Sequence, residues 1–327
     1  MKPFSSRAAA AICLGTLACA MAALPVQAQT FPSKPIRLVV ANAAGGNADL
    51  VSRLAAEGMS RELGQAVYVE NLAGGRQIPG TNLVARANPD GYTLLGVGLV
   101  FTINAVLYND LPYDSIKDFA PVGVVGSTPQ LIASAPGFAA SSIKELIAMA
   151  KAQPDTIHYS STGVASTGHL GGELLNSMAG IKLVHVAYKG TAQANTDALK
   201  GVIQLTIAAP ISLVGLIKSG KMKALGITSS KRSSQLPDVP TIAETVPGYE
   251  YILWNGIEAP AATPRPVIAR LNAALNKGIS SPDMKDKLSK AGVDIDPQSP
   301  EQMATYIDVE MKKLTRVIRE AGIKGER

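Results

Sequence analysis

Apolar positions along the chain switch repeatedly between two spacings. Ile36-Arg37-Leu38-Val39-Val40-Ala41 is a nearly continuous apolar run of strand length, the pattern of a parallel strand covered on both faces. Gly45-Gly46 interrupts it. From Asn47 the spacing turns helical: Val51, Ala55, Met59 and Leu63 recur at intervals of four, and Leu50 and Leu54 form the adjoining row. Arg53, Glu57 and Arg61 fall on the other face, and Gly64 closes the helix. A strand over Val67 to Glu70, a helix over Asn82 to Ala87, a turn at Asn88-Pro89-Asp90-Gly91 and a strand over Tyr92 to Gly96 complete a βαβαβ series.

A less regular stretch, Asn104 to Phe138, precedes a second series. Ser142-Ile143-Lys144-Glu145 has the spacing of a capping box, and a helix to about Ala152 follows. Strands are predicted over Ile157 to Ser160, Leu183 to Val186, Val202 to Ala208 and Lys223 to Ile227. Helices are predicted between them over Thr167 to Met178, Gln193 to Leu199 and Ile211 to Ser219. The alternation implies an α/β protein of parallel sheets wound by helices. Pro264 and Pro266 open a helix that Gly278 is expected to end. Gly292 ends another, and Ser299-Pro300-Glu301-Gln302 caps the last, so the C-terminal part is helical.

Ahead of the first strand, Met1 to Arg7 is basic, Ala8 to Leu24 is uncharged and apolar, and Val26-Gln27-Ala28 has the small-residue spacing of a cleavage site. Residues 1–28 are therefore expected to be a secretion signal, with the mature chain beginning near Gln29. Cys13 and Cys19 both fall in that segment, and Thr16-Leu17-Ala18-Cys19 fits a lipobox poorly, so the exported part uses neither disulfides nor thiol chemistry. Losing Lys2 and Arg7, and no acid, takes the formal charge from +6 to +4. Those charges are scattered, with no Lys/Arg run longer than a pair, which argues against a nucleic-acid partner. No apolar stretch of transmembrane length follows the signal. The remaining length exceeds what one compact core usually holds, so two lobes are expected.

In wound α/β sheets ligands bind outside the carboxyl ends of strands. The loops at issue are Asn42 to Asp49, Ser160 to His169 and Tyr188 to Gln193. In the first, Gly45 and Gly46 let backbone approach a ligand, and the helix-start amides at Asn47 to Asp49 favour a carboxylate or phosphate. The plainer alternative is a tight turn with Asp49 complementing the helix dipole. The second loop, Ser160-Ser161-Thr162-Gly163-Val164-Ala165-Ser166-Thr167-Gly168-His169, is a dense hydroxyl cluster that joins a strand to a helix start and suits a small oxyanion. One cap at Ser166 or Thr167 does not need five hydroxyls. In the third, Lys189 offers a cation and Tyr188 a stacking face or phenol, beside Gly190. Trp254 is expected to be a packing residue near a crossing between lobes.

Catalytic patterns fail on detail. Gly163 to Gly168 is not a nucleophile elbow, and Gly96-Val97-Gly98 lacks the third glycine of the dinucleotide fingerprint. His158, His169 and His185 have no helix-spaced pair for zinc. His158 and His185 fall within or beside strands and read as structural.

The mature chain resembles, over nearly its whole length, the periplasmic solute receptors of tripartite tricarboxylate transporters, the Bug or TctC family. The resemblance rests on six short motifs in order. They are Phe31-Pro32-Ser33-Lys34-Pro35-Ile36-Arg37-Leu38-Val39-Val40; Pro89-Asp90-Gly91-Tyr92-Thr93-Leu94-Leu95; Leu111-Pro112-Tyr113-Asp114 with Lys117 to Pro121; His185-Val186-Ala187-Tyr188-Lys189-Gly190; Leu236-Pro237-Asp238-Val239-Pro240-Thr241; and Ala259-Pro260-Ala261-Ala262-Thr263-Pro264. It implies a type II periplasmic binding protein: two doubly wound βα lobes that close over a small carboxylate-type solute and present it to a membrane permease, as a monomer, without catalysis or cofactor. Carried over, the ligand loops are Gly45, Gly46, Asn47 and Asp49 in one lobe and Ser161, Thr162, Ser166, Thr167 and His169 in the other. Lobe I is expected over residues 29–127 and 255–327, and lobe II over 128–254, with crossings near Val122 to Gln130 and Tyr251 to Ala259.

Departures from the family pattern bear on the ligand. Ala43-Ala44 and Ala48 stand where the first loop usually has prolines and threonine, and Arg76 is an extra cation near the cleft. Ala208-Ala209 replace an acid or amide that could pair with a ligand amine, which disfavours an amino acid. A carboxylate with an apolar or aromatic remainder, or a dicarboxylate using Lys189 or Arg76, fits better. Two other readings compete: the same scaffold serving a sensor instead of a permease, and a secreted hydrolase using Ser166 and His169. The second lacks an oriented carboxylate.

Overall fold

The computed structural model describes residues 31–233 and 236–324; the expected secretion signal lies outside them. From Lys34 onward the chain forms one compact unit. Its strands are β1 (Ile36–Val40), β2 (Val67–Asn71), β3 (Thr93–Gly98), β4 (Phe119–Pro129), β5 (Leu131–Ser134), β6 (His158–Ser161), β7 (Val184–Ala187), β8 (Leu205–Ala208), β9 (Lys223–Ile227), β10 (Ile252–Pro260) and β11 (Asp294–Ile295). Its α-helices are α1 (Asn47–Leu63), α2 (Ile78–Ala85), α3 (Leu99–Leu107), α4 (Ile143–Ala152), α5 (Thr167–Ala179), α6 (Thr191–Leu199), α7 (Pro210–Lys218), α8 (Arg265–Ile279), α9 (Pro282–Lys290) and α10 (Pro300–Glu320). A six-stranded sheet runs β11-β4-β10-β3-β1-β2 and a five-stranded sheet runs β7-β6-β8-β5-β9.

The sheets are mixed, which corrects the all-parallel expectation. β2-β1-β3 and β7-β6-β8 are parallel, as βα alternation requires, but β10 is antiparallel to both β3 and β4, and β5 is antiparallel to β8 and β9. The antiparallel strands are those at which the chain passes between sheets. β4 ends at Pro129 in the first sheet and β5 starts at Leu131 in the second; the return lies between β9 and β10. The two passages are tied together. Gln130 N donates to Thr228 Oγ1 at 2.7 Å, Thr228 N donates to Gln130 O at 2.9 Å, and Tyr251 N donates to Thr228 O at 3.0 Å.

Several local expectations are revised for identifiable reasons. The irregular stretch contains β4, the longest strand described. Its Pro121, Gly123, Gly126 and Pro129 resemble turn chemistry, yet the glycines are there for close approach: a Cβ on Gly126 would lie 2.5 Å from Asp294 O. Gly278 does not end α8. It lies inside the helix, where a Cβ would meet Gly58 C at 2.6 Å, so this glycine pair sets how closely α1 and α8 cross. Helix α2 starts at Ile78, earlier than expected. In the first turn of α4, Ser142 Oγ accepts from Glu145 N at 3.2 Å as expected. Glu145 itself turns to Ser141, accepting from its N at 2.7 Å and its Oγ at 2.8 Å. At α10 both arms of the Ser299–Gln302 capping box are made.

The C-terminal helix serves both sheets. α10 packs against α3 and β4 of the first sheet and against α5 of the second, where Ser177 Oγ donates to Glu320. Trp254, fully buried in β10, meets the Tyr306 ring of α10 edge-on at 5.6 Å.

Candidate ligand cleft

The first lobe's loop after β1 is braced by side chains and open at its backbone. Asp49, 4% exposed, accepts from Gly45 N at 2.9 Å and from Asn71 Nδ2 at 2.9 Å, and pairs with Arg53 at 2.9 Å. Burial opposes its charge, but the hydrogen bonds from Arg53, Gly45 and Asn71 outweigh that and hold the carboxyl below its ordinary value. Asn71 Nδ2 also donates to Asn42 O at 3.2 Å, Gln77 Nε2 donates to Asn42 Oδ1 at 3.1 Å, and Asn255 Nδ2 donates to Asn47 Oδ1 at 3.2 Å. Gly45 takes φ +85°, a conformation glycine adopts without strain. Gly46, the residue ahead of α1, has no side chain with which to cap it, so no side chain satisfies the first-turn amides.

A cavity of about 550 Å³ lies over this loop. Gly45, Gly46, Asn47 and Ala48 line it together with Gln77, the segment Gly96–Val100, and Leu253, Trp254 and Asn255 of β10. The segment Gly96–Val100 carries the start of α3, whose preceding residue Gly98 again offers no capping side chain. Two uncapped helix N-termini thus meet one cavity, each presenting partial positive charge and free amide donors. Among the described residues, no charged side chain lines it, while Val100 and Leu253, with Ala43, Ala44 and Ala48, give it apolar surface. Gly98 also allows β3 and β10 to approach: a Cβ there would meet Trp254 O at 2.6 Å.

The second lobe's loop, after β6, uses its hydroxyls among themselves. Ser160 is fully buried and bonds to Leu205 O and Thr206 Oγ1 beneath the loop. Ser166 Oγ donates to Ser161 Oγ at 3.0 Å and accepts from His169 N at 3.4 Å, which caps α5. Ser161 Oγ in turn lies 2.6 Å from His185 Nε2. The His185 ring stacks on His169 at 3.7 Å with 12° between planes. Burial lowers both imidazoles to about 4, with the neighbouring His185 adding to the effect at His169, so both rings are neutral at pH 7. His169 Nδ1 accepts from Ala165 N at 2.9 Å, and its Nε2 stands 3.8 Å from Glu173, whose Oε1 is bonded to Tyr159 Oη. Ser166 therefore has no base beside it. Its hydrogen-bonded partners are another serine and a main-chain amide of its own helix.

The remaining expected residues separate. Tyr188 N bonds to Ser161 O, which anchors the third loop to the second, and Gly190 precedes α6 without capping it. Thr162 and Lys189 are exposed, and Thr167 is half-buried. Arg76 is exposed with its guanidinium over the Tyr108 ring and is not part of the cavity lining; its neighbour Gln77 is. Sequence reasoning placed Asn42 in the first loop without a role, missed Gln77, the α3 start and Asn255, and took His185 for a strand residue alone. A signal for α3 exists: Gly98 directly precedes the largely apolar run Leu99–Leu107, as a glycine at a strand-to-helix junction does. Among the described residues, no group of three or more His, Cys, Asp or Glu could hold a metal ion, and no helix is long and apolar enough to cross a membrane.

Residues 51–323 match the family model described as the tripartite tricarboxylate transporter family receptor, TctC. BugT of Bordetella pertussis is 33% identical, over 94% of this chain and 95% of its own length. A protein of a Pseudomonas species, encoded in the tcbD–tcbE intergenic region, is 35% identical over 94% of this chain and 93% of its own. Among solved structures, an R. palustris protein with adipate superposes at a TM-score of 0.75, with 31% identity over 90% of this chain and 99% of that one. The periplasmic binding protein BugD gives 0.72, with 34% identity over 90% of this chain and 100% of that one. MatC of Rhodopseudomonas palustris with bound malate gives 0.71, with 29% identity over 88% of this chain and 100% of that one. Two wound lobes, a cavity at the carboxyl ends of the first lobe's strands and these likenesses agree, and the chain belongs to the tripartite tricarboxylate transporter family of receptors: a solute-binding protein, not an enzyme.

Proposed function

We propose that this receptor captures a small carboxylate with an apolar remainder in the periplasm and delivers it to the membrane permease of a tripartite transporter. The carrying observation is the pair of uncapped helix starts, α1 and α3, in a cavity whose lining is otherwise neutral and partly apolar. One ligand carboxylate is held by the amides of Gly46, Asn47 and the α3 start, where the neutral donors carry no counter-charge that would have to be stripped of water. The methylene or ring portion lies on Val100 and Leu253.

In this reading the hydroxyl loop of the second lobe completes the site on closure, through Thr162, Thr167 and the outer face of the Ser161–Ser166 pair, with Tyr188, Lys189 and Gly190 at the rim. Residues up to about Pro129 and from about Ile252 form lobe I, and the hydrogen-bonded passages at Gln130, Thr228 and Tyr251 act as the hinge. Adipate and malate bound to two relatives support the ligand class.

The test is calorimetric titration of the purified protein with adipate, malate and a diamine of matched length, followed by uptake in vesicles carrying the two permease subunits. Binding of a dicarboxylate, no turnover of it, and receptor-dependent uptake are expected. Binding of the diamine alone would overturn the ligand class; receptor-independent uptake would overturn delivery.

A further inference from the structure

A second cavity, of about 380 Å³, lies away from the cleft lining, between the segment Ser115–Pro121, β10 and the outer face of α10. Its walls are Ile116, Phe119, Pro121, Ala304, Ile307 and Met311, which makes it apolar. Of the polar residues that interrupt that wall, Thr315 Oγ1 donates to Met311 O at 2.7 Å, whereas Glu258 and Ser115 each keep a buried atom without a partner. Glu258 of β10, 2% exposed, has no hydrogen-bond partner for Oε2, and Ser115, 7% exposed, has none for Oγ. A buried carboxyl oxygen and a buried hydroxyl left without partners are each costly, and both residues line the same space. The charged residues in the lining are Asp308 and Lys312 of α10, which pair with each other at 2.7 Å across one helical turn; the lining residues from 115–121 carry no charge. The rim is thus self-compensated, and the unmet demand is that of Glu258 and Ser115.

We propose that this cavity is a second ligand site, for a small apolar amine whose ammonium group is held by Glu258 and Ser115. An ammonium brings three donors and a positive charge to a carboxyl oxygen and a hydroxyl that otherwise lack partners, while its hydrocarbon body fills the apolar walls. A neutral alcohol has one donor and no charge with which to ionise Glu258. Burial pushes the Glu258 carboxyl up to about 8, so at pH 7 the empty site holds a proton. Binding exchanges that proton: the protonated carboxyl and the ammonium form a carboxylate–ammonium pair, and the proton leaves to solvent.

The experiment uses n-hexylamine as the probe, with n-hexanol and adipate as controls, read by calorimetry on the purified protein at pH 7 in two buffers of different ionisation enthalpy. Hexylammonium is expected to bind with release of about one proton, tighter than hexanol, and without competition from excess adipate. Glu258→Gln, which keeps the shape and removes the charge, is expected to weaken it by roughly tenfold. Ala304→Phe, which fills the mouth from α10 without touching Glu258, is expected to abolish binding while leaving thermal unfolding near that of the wild type. The proposal is overturned if hexylammonium does not bind, binds no better than hexanol, is displaced by adipate, or binds Glu258→Gln as tightly as the wild type.

Discussion

The loops after β1 and β6 occupy equivalent places in their lobes, yet they are stiffened by opposite means. The loop after β1 is held from behind by a charge: Asp49, paired with Arg53, fixes Gly45 and Asn71, while no side chain caps the helix that follows. The loop after β6 is held by neutral groups, a chain from Ser166 through Ser161 to His185, with His169 stacked beneath. A charged brace is kept where it is far from neutralisation at ordinary pH. An imidazole brace stays neutral only because burial makes it so, which exposes the second lobe to acid first.

Acid should therefore distinguish the lobes, and this is the largest effect expected. With both imidazoles lowered from 6.5 to about 4, folded and unfolded chains are alike above pH 6.5. Between 6.5 and 4 the unfolded chain takes up protons that the folded chain does not, so stability falls with pH across that window. Glu258 acts in the opposite sense, since its raised value favours the folded chain as pH falls through about 8. A difference measurement removes that contribution. Between pH 7 and pH 5 the wild type should lose on the order of 3 kcal/mol more in urea unfolding than a variant carrying both His169→Gln and His185→Gln. Equal losses would mean that the stacked pair is not what the second lobe rests on.

Asp49→Ala tests the first lobe's brace. It leaves Gly45 N, Asn71 and Arg53 without their acceptor, and should cost about 2 kcal/mol at pH 7. Because the folded carboxyl lies below 3.8, its contribution is complete above that value and is lost only as pH falls below it, outside the histidine window. Carboxylate affinity should fall with it, measured by calorimetry, since the loop's amides lose their fixed direction. A variant of unchanged stability would show that the turn is held by Gly45 alone.

How much of this could be seen in the sequence follows the same division. Local rules succeeded where one residue does one local thing: Gly64 ends α1, Ser299 and Gln302 cap α10, and the glycine and hydroxyl loops stand out by composition. They failed where a residue answers to a partner distant in the chain. Gly278 looks like a helix end but is a crossing point with Gly58, and the glycines of β4 look like turns but accommodate strand and helix neighbours. His185 looks like a strand residue, and its role depends on Ser161, 24 positions earlier. For Asp49 the local pattern leaves ligand contact and helix-dipole complement open, and what its carboxylate accepts from, Gly45 N, Asn71 and Arg53, shows only in three dimensions.

A smaller effect is expected at Ser161. Ser161→Ala removes the middle of the neutral chain, leaving Ser166 Oγ and His185 Nε2 without each other's intermediary, at a cost of about 1 kcal/mol in urea unfolding at pH 7. The stacking of His169 on His185 does not depend on that hydroxyl, so the acid sensitivity between pH 6.5 and 4 should survive in this variant. Loss of the sensitivity together with the hydroxyl would mean that Ser161, and not burial, keeps the rings neutral.

The smallest effect sharpens the comparison most, because it sets neighbouring residues against each other. Arg76 carries the charge that sequence reasoning favours for a carboxylate, but its guanidinium lies over the Tyr108 ring, 5.6 Å from the centroid. Gln77 carries none, yet it lines the cavity and braces Asn42 at 3.1 Å. If the first lobe binds anions through helix starts and neutral donors, Gln77→Ala should weaken carboxylate binding by roughly threefold, about one lost neutral hydrogen bond, and Arg76→Ala by less. The same cause predicts weak dependence on salt, since the fixed dipoles sit against the ligand where added ions screen little. A steep salt dependence abolished by Arg76→Ala would reverse the assignment, making the exposed cation, and not the paired helix starts, the source of anion affinity.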